Sequence, residues 1–338
     1  MELSERKKKI LASVVERYIM TGEPVGSKVL CGSLSVSSAT VRNEMSELSE
    51  IGYLEQPHTS AGRIPSQKGL RYYVNHLMSR YDISNAERFA IESRFDNTAG
   101  EPENILREAA KLLSEMTGCA SAALTPYDSG AVIKRVELVP LSQRTVLIVI
   151  LVSTGVIKSR ICRCDVQIDI HTAELFYNIA AAHFVDHRSY ELTTAKIQTL
   201  AASLGDRAFI MTPLLVTLAE LANEASRCSV ITEGHSRLLN FKELETDVYG
   251  IFEYMKHDAA LAAILNSGSE NLKVSIGREC MNRSLEHASV ISSKYAVDGK
   301  NVGSVGVIGP LRMDYARIIP NLAFISETVG RVLSEAID

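Results

Sequence analysis

The run SSATVRNEMSELSEIGYLEQPHTSAGRIPSQKGLRYYV, from Ser37 to Val74, decides how the start of the chain folds. Ser37 or Ser38 caps a helix from Ala39 to Ile51, and Gly52 stands where a left-handed C-cap is wanted. At about 100° per residue, Val41, Glu44, Met45 and Leu48 share one side, while Ala39, Arg42, Asn43 and Ser46 point away from it. Tyr53–Gln56 reads as a strand, Pro57–Gly62 as a turn-rich loop and Arg63–Pro65 as a short returning strand. Ser66 then caps a helix whose Leu70, Tyr73, Val74 and Leu77 form an inward stripe.

Upstream, Ile10, Leu11, Val14, Val15, Tyr18 and Ile19 repeat at three- and four-residue spacing, which predicts a helix ending at Thr21-Gly22. Pro24 and Gly26 make a connection, Ser27 caps a short helix, and Gly32–Val36 is expected to be a tight turn. Three short helices followed by a hairpin form a helix-turn-helix with a wing. The outward residues near the start of the third helix are small or hydrogen-bonding, and the positive end of a helix dipole favours phosphate there. Glu47 and Glu50 lie at the far end, so the polarity suits a helix entering a groove by its N-terminal half. In that pose Arg42 can bond guanine, Asn43 an adenine edge, and Thr40 or Ala39 a thymine methyl. The candidate DNA contacts are therefore Ser27, Lys28, Ser38, Ala39, Thr40, Arg42, Asn43 and Ser46, with His58, Thr59, Ser60 and Arg63 from the wing. Helix pattern alone favours a solvated surface face; the hairpin that follows shifts the balance to a wing.

Composition sets the outer bounds. Of 338 residues, 46% are hydrophobic and 22% charged, enough apolar material for two or three cores. The net charge of −4 hides an asymmetry: residues 1–80 carry +3 and the remainder −7, a basic module on an acidic body. Six scattered cysteines are too few for a disulfide scaffold. The longest apolar run, Val146–Val152, is far below the roughly 20 residues of a membrane span. The basic start at Arg6–Lys9 lacks the pattern of a signal peptide, so a cytoplasmic protein without membrane contact is expected.

Beyond residue 80, helical stretches at Ala86–Phe95 and Glu103–Met116 precede four β-rich runs, Ala120–Thr125, Val132–Leu141, Arg144–Val152 and Val156–Val166. Helical spacing returns from Asp169 to Phe184 and dominates from about 187 to 268. Strand patterns resume at Leu272–Ile276, Ala288–Val297 and Asn301–Ile308, before a closing helix at Met313–Ile337. Strands on both sides of a helical block predict an α+β domain interrupted by a mainly helical insert. The expected division is 1–80, 81–186, 187–268 as the insert, and 269–338.

The constellations with the residue types for chemistry are weak. Gly299, Gly303, Gly306 and Gly309 lack the strand-to-helix context of a phosphate cradle, since Pro310 ends the run. Cys162 and Cys164 have no second pair at zinc spacing, and His183 with His187 lack a following Glu and a third ligand. No nucleophile with a neighbouring base is found, so no catalytic, cofactor or metal residues are assigned.

The long contiguous run from Ser37 to Val74 closely resembles the heat-inducible transcription repressor HrcA family of bacteria. EGHSRLLNF at Glu233–Phe241 and DGKNVGSVGVIGPLRMDY, ending at Tyr315, resemble it too. The resemblance implies a winged helix-turn-helix domain that reads an inverted-repeat operator of chaperone genes. It also implies a GAF-like α+β domain interrupted by a dimerisation insert, a homodimer, and dependence of activity on the GroEL chaperonin. The alternative from another class is a small-molecule-sensing transcription factor whose GAF-like domain gates DNA binding.

Overall fold

In the computed structural model, residues 3–337 are described except 35, 60, 80, 97, 99–100, 127–130 and 226–227. The N-terminal unit opens with α1 (Glu5–Thr21), α2 (Ser27–Leu34) and α3 (Ser38–Glu50). Ser4 and Ser37 accept backbone N–H bonds at the starts of α1 and α3, and Gly22 closes α1 at φ 70°. Ile10, Leu11, Val14 and Val15 of α1 are buried with Val41, Met45 and Leu48 of α3. At about 1.5–3 kcal/mol for each large aliphatic side chain withdrawn from water, this stripe holds the helices together. α2 runs on to Leu34, through part of the expected turn.

A hairpin of β1 (Leu54–Glu55) and β2 (Ile64–Pro65) follows α3, with Leu54 paired to Pro65 and Glu55 to Ile64. Val25, just before α2, exchanges backbone bonds of 2.8 and 2.9 Å with Arg63, so the hairpin gains a third, short edge. Gly62 is required at that edge, because a Cβ would meet the Val25 carbonyl and stand 2.9 Å from Gly26 N. Ser66 caps α4 (Gln67–Tyr72), which passes directly into a π-helical turn at Tyr73–Leu77.

Next come α5 (Asn85–Glu92), α6 (Pro102–Thr117) and β3 (Ala120–Leu124). The chain then leaves to build a separate layer from β4 (Ile133–Ser142), β5 (Thr145–Val152), β6 (Ile157–Arg163), α7 (Ile170–His183), α8 (Thr194–Ser203) and α9 (Ala208–Ala225). These strands form their own antiparallel sheet in the order β4-β5-β6. Val146, Ile148, Ile150 and Val152 alternate into a core with Phe176, Leu214, Leu218 and Leu221.

The chain returns with β7 (Val230–Glu233), α10 (Val248–Met255), α11 (Asp258–Leu265), β8 (Leu272–Ile276), β9 (Ala288–Val297), β10 (Lys300–Pro310) and α12 (Tyr315–Ile337). A five-stranded antiparallel sheet results, in the order β7-β3-β10-β9-β8. α6 and α12 pack on one face and α11 on the other. The glycine-rich strand belongs to this close packing. A Cβ on Gly309 would lie 2.6 Å from Cys119 Sγ, and one on Gly306 would lie 2.9 Å from the Ile291 carbonyl oxygen.

Two expectations need correction. The independent layer occupies residues 131–225, not 187–268, and it contains a sheet as well as helices. The expected boundary at 187 falls inside it: Ile133 N–H donates to the His187 carbonyl at 3.1 Å and Ser189 N–H to that of Ala131 at 3.0 Å. Residues 230–265 instead belong to the five-stranded sheet: β7 forms its edge, and the residues after it cover one face, burying Leu238, Leu244, Ile251 and Leu261 against Ala120, Ala122 and Leu124. Helical spacing shows that a stripe is buried but not which sheet buries it. Second, counting uninterrupted apolar runs overlooked Gly205–Ala225, a helix long and apolar enough to cross a membrane, of which 44% is buried within the protein. Its Leu214, Leu215, Leu218 and Leu221 line the core of the 131–225 layer.

Candidate nucleic-acid interface

α3 presents Ala39, Arg42 and Asn43 to solvent, while Ser38, Thr40 and Ser46 are half-exposed. These positions follow from burial of Val41, Met45 and Leu48 on the opposite side. The N-terminus is tightly made: Ser37 Oγ accepts from Thr40 N–H at 3.1 Å and lies 2.9 Å from Thr40 Oγ1. Thr40 Oγ1 is thus engaged with the cap. Ser27 Oγ and Ser38 Oγ are 3.1 Å apart, so the two serines join the starts of α2 and α3, with Lys28 exposed beside them.

Two of the acids of α3, Glu44 and Glu47, are paired from α1, which the sequence reading missed. Lys7 Nζ stands 3.0 Å from Glu44 and 2.7 Å from Glu47, and Arg6 lies 3.7 Å from Glu44. Bonds to Glu47 and then Glu44 push the Lys7 ammonium above its ordinary value. The basic cluster at Arg6–Lys9 supplied the available signal, since α1 must cross α3 to bury Ile10 and Val14.

In the hairpin, His58 and Thr59 are exposed, and Ser60 lies outside the described residues. Gln56 Nε2 donates to the carbonyls of Thr59 at 2.9 Å and Ala61 at 3.1 Å, holding the loop closed on itself. Arg63 is differently placed from a tip residue. It is half-buried, and its Nε donates at 2.9 Å to Ser49 Oγ, which donates in turn to the Met45 carbonyl. Arg63 therefore braces the hairpin against α3.

The unit is bolted to the body rather than tethered loosely. Arg71 Nε donates to Glu279 at 2.9 Å and its Nη2 to the Val274 carbonyl at 2.7 Å. Gln67 donates to the Glu286 carbonyl at 3.0 Å and accepts from Arg278 N–H at 3.1 Å. Arg312, which pairs with Glu243, also donates to the Ile19 carbonyl at the end of α1. One apolar core runs from Ile10 and Leu70 through Tyr73 to Leu113 and Leu322.

The other constellations are packing features. Cys162 and Cys164 are buried, and burial pushes the Cys164 thiol up to about 12. His187 Nδ1 lies 3.0 Å from the Val185 carbonyl. Among the described residues no group of three or more His, Cys, Asp or Glu is placed to hold a metal ion.

Comparison with known proteins finds relatives of the chain. The family described as HrcA protein C terminal domain matches residues 103–319. The heat-inducible transcription repressor HrcA of Moorella thermoacetica is 34% identical over 342 residues, covering 99% of either chain. That of Symbiobacterium thermophilum is 33% identical over 337 residues, covering 98% of each. A crystal structure of a hypothetical protein at 2.2 Å resolution has the same fold, with a TM-score of 0.72 at 26% identity over 99% of this chain and 100% of that one. The curated relatives are transcription repressors, which is not an enzyme class. By nearly full-length identity and by its matched C-terminal region, the chain belongs to the HrcA family of heat-inducible transcription repressors.

Proposed function

We propose that the protein is a cytoplasmic, homodimeric repressor of heat-shock operons, in which residues 1–80 form a winged helix-turn-helix reading half of an inverted repeat. The observation that carries this reading is the tip of α3, where exposed Ala39, Arg42 and Asn43 stand beside the hairpin while Lys7 and Arg6 pair with Glu44 and Glu47 behind them. Arg42 and Asn43 take base edges; Ser27, Lys28, Ser38, His58, Thr59 and Ser60 serve the phosphates; Ala39 and the Thr40 methyl meet thymine. Ser46 and Arg63 flank that contact, Arg63 chiefly as a brace. A mobility shift with an inverted-repeat duplex tests the reading, and equal affinity for a scrambled duplex overturns it.

The five-stranded sheet with α6 and α12 is the GAF-like body in this reading, and the 131–225 layer is the dimerisation insert. The outer face of its sheet supports that role. Val139 pairs with Leu147 and Leu147 with Ile161, while Leu151 pairs with Ile157. Val139, Leu141, Ile157 and Ile161 are 43%, 53%, 57% and 62% exposed. A clustered apolar sheet face of this kind is a feature of interaction sites. Two-fold pairing of protomers would match the two-fold symmetry of an inverted repeat. Modulation by the GroEL chaperonin rests on the family resemblance and is tested by the yield of DNA-binding protein at fixed repressor with chaperonin added; an unchanged yield overturns it.

A further inference from the structure

The anchors of the N-terminal unit on the body are placed so that they remove the freedom a tethered head would have. Gln67 and Arg71, near the start and end of α4, stand about 6 Å apart along the helix. Two anchors on one helix still allow rotation about the line between them. A further anchor lies on a different helix: the Ile19 carbonyl, near the end of α1, accepts from Arg312 Nη1 at 3.3 Å. Anchors that do not share a line fix a body in orientation as well as in position.

Each anchor grips backbone. β8 is an edge strand of the five-stranded sheet, and it turns the Val274 carbonyl and the Ile276 N–H away from β9. Arg71 takes the first at 2.7 Å and Glu279 the second at 2.9 Å, while the two side chains pair with each other, so the ion pair sits where a further strand would add. Gln67 bridges the Glu286 carbonyl and the Arg278 N–H. Gly277, at φ 56°, makes room for that amide, since a Cβ there would run into it. Beneath these bonds Leu70 and Tyr73 belong to one core with Ile276 and Tyr315, and α4 passes into its π-helical turn without an intervening linker.

We propose that Gln67, Arg71 and Arg312 are positioning residues that set the half-site separation the dimer accepts. This rests on the reading of the protein as a homodimer on an inverted repeat. One extra base pair between half-sites moves one of them by about 3.4 Å along the duplex and turns it by about 35°. A head on a flexible linker follows such a change, whereas a head locked to the body carries α3 to one place. The bases are read by α3 and the hairpin, so these anchors govern spacing and not sequence.

The test uses the full chain and the tightest inverted repeat that it selects from randomised duplexes, with the spacer then lengthened or shortened by one and two base pairs. The native protein is expected to lose at least tenfold in affinity at every altered spacing. Arg71→Ala leaves anchors that permit rotation, and is expected to bring all five spacings within threefold of one another. Gln67→Ala, at another anchor, is expected to do the same. Affinity for a duplex carrying one half-site should stay within twofold of native in both variants, a readout that general loss of folding would lower. A native profile that is already flat overturns the proposal whatever the variants do, and leaves the repressor reading standing. A profile as steep as the native one in either variant, or flattening matched by an equal loss on the single half-site, overturns it too. Selection of no inverted repeat overturns the repressor reading and this proposal with it.

Discussion

The Arg42 guanidinium stands in solvent one turn into α3, whereas that of Arg63 is held by Ser49. The same charge therefore predicts different losses. Arg42→Ala should cost about 1–3 kcal/mol of binding to the inverted repeat and little on a scrambled duplex, so the ratio of the two affinities collapses. Fluorescence anisotropy on both duplexes measures it, and an equal loss on each would place Arg42 on phosphate instead. Arg63→Ala removes a partly buried charged hydrogen bond and should lower unfolding stability by about 1 kcal/mol, read as a shifted urea midpoint. It should also weaken all duplexes alike while leaving the salt dependence unchanged, because a brace neutralises no phosphate. An unmoved midpoint would leave Arg63 without the bracing role that its bond to Ser49 implies.

At the scale of elements, local chemistry was legible and distant pairing was not. Ser37 and Ser66 cap the helices that follow as expected, because a cap is a contact between residues three apart, whereas Ser27 is the first residue of α2 rather than its cap. β8 and β9 match their expected spans residue for residue. The bond from Lys7 to Glu47 and the bolt from Arg71 to Glu279 join residues 40 and 208 apart, and no periodicity announces them. α5 carries a cap of its own that titrates. The Tyr81 hydroxyl first, then Ser84 N–H and Oγ, hold the Glu87 carboxyl down at about 2. Its folded value lies below the unfolded one of about 4.3, so the capped state is favoured at neutral pH and gives way as pH falls from there through 2. Protection of α5 amides against hydrogen exchange should therefore drop between pH 5 and pH 2 by about these carboxylate values. Glu87→Ala should show the reduced protection already at neutral pH, and full protection in that variant would remove Glu87 from the cap.

Across the whole molecule, the sequence spacing located the three strands of the 131–225 layer but assigned all three to the wrong sheet. β4, β5 and β6 read as strands of an α+β body because alternation records a buried face and not its partner. Their true sheet turns Val146, Ile148 and Ile150 toward α9 and leaves the other face with Val139, Leu141, Ile157 and Ile161 in solvent. If two protomers join through that face, a carboxylate at its middle must be buried without a partner on association, at a cost of several kcal/mol. Ile161 is the position to change, since it is 62% exposed and opposes Leu147 across the sheet. Ile161→Asp should leave the monomer's melting unchanged, because the side chain points away from its core, yet shift the mass measured by light scattering from two chains to one. Operator affinity should fall steeply with it, as each half-site then binds alone. A variant that stays dimeric would move the contact to another surface, and one that becomes monomeric while keeping full operator affinity would separate dimerisation from DNA reading.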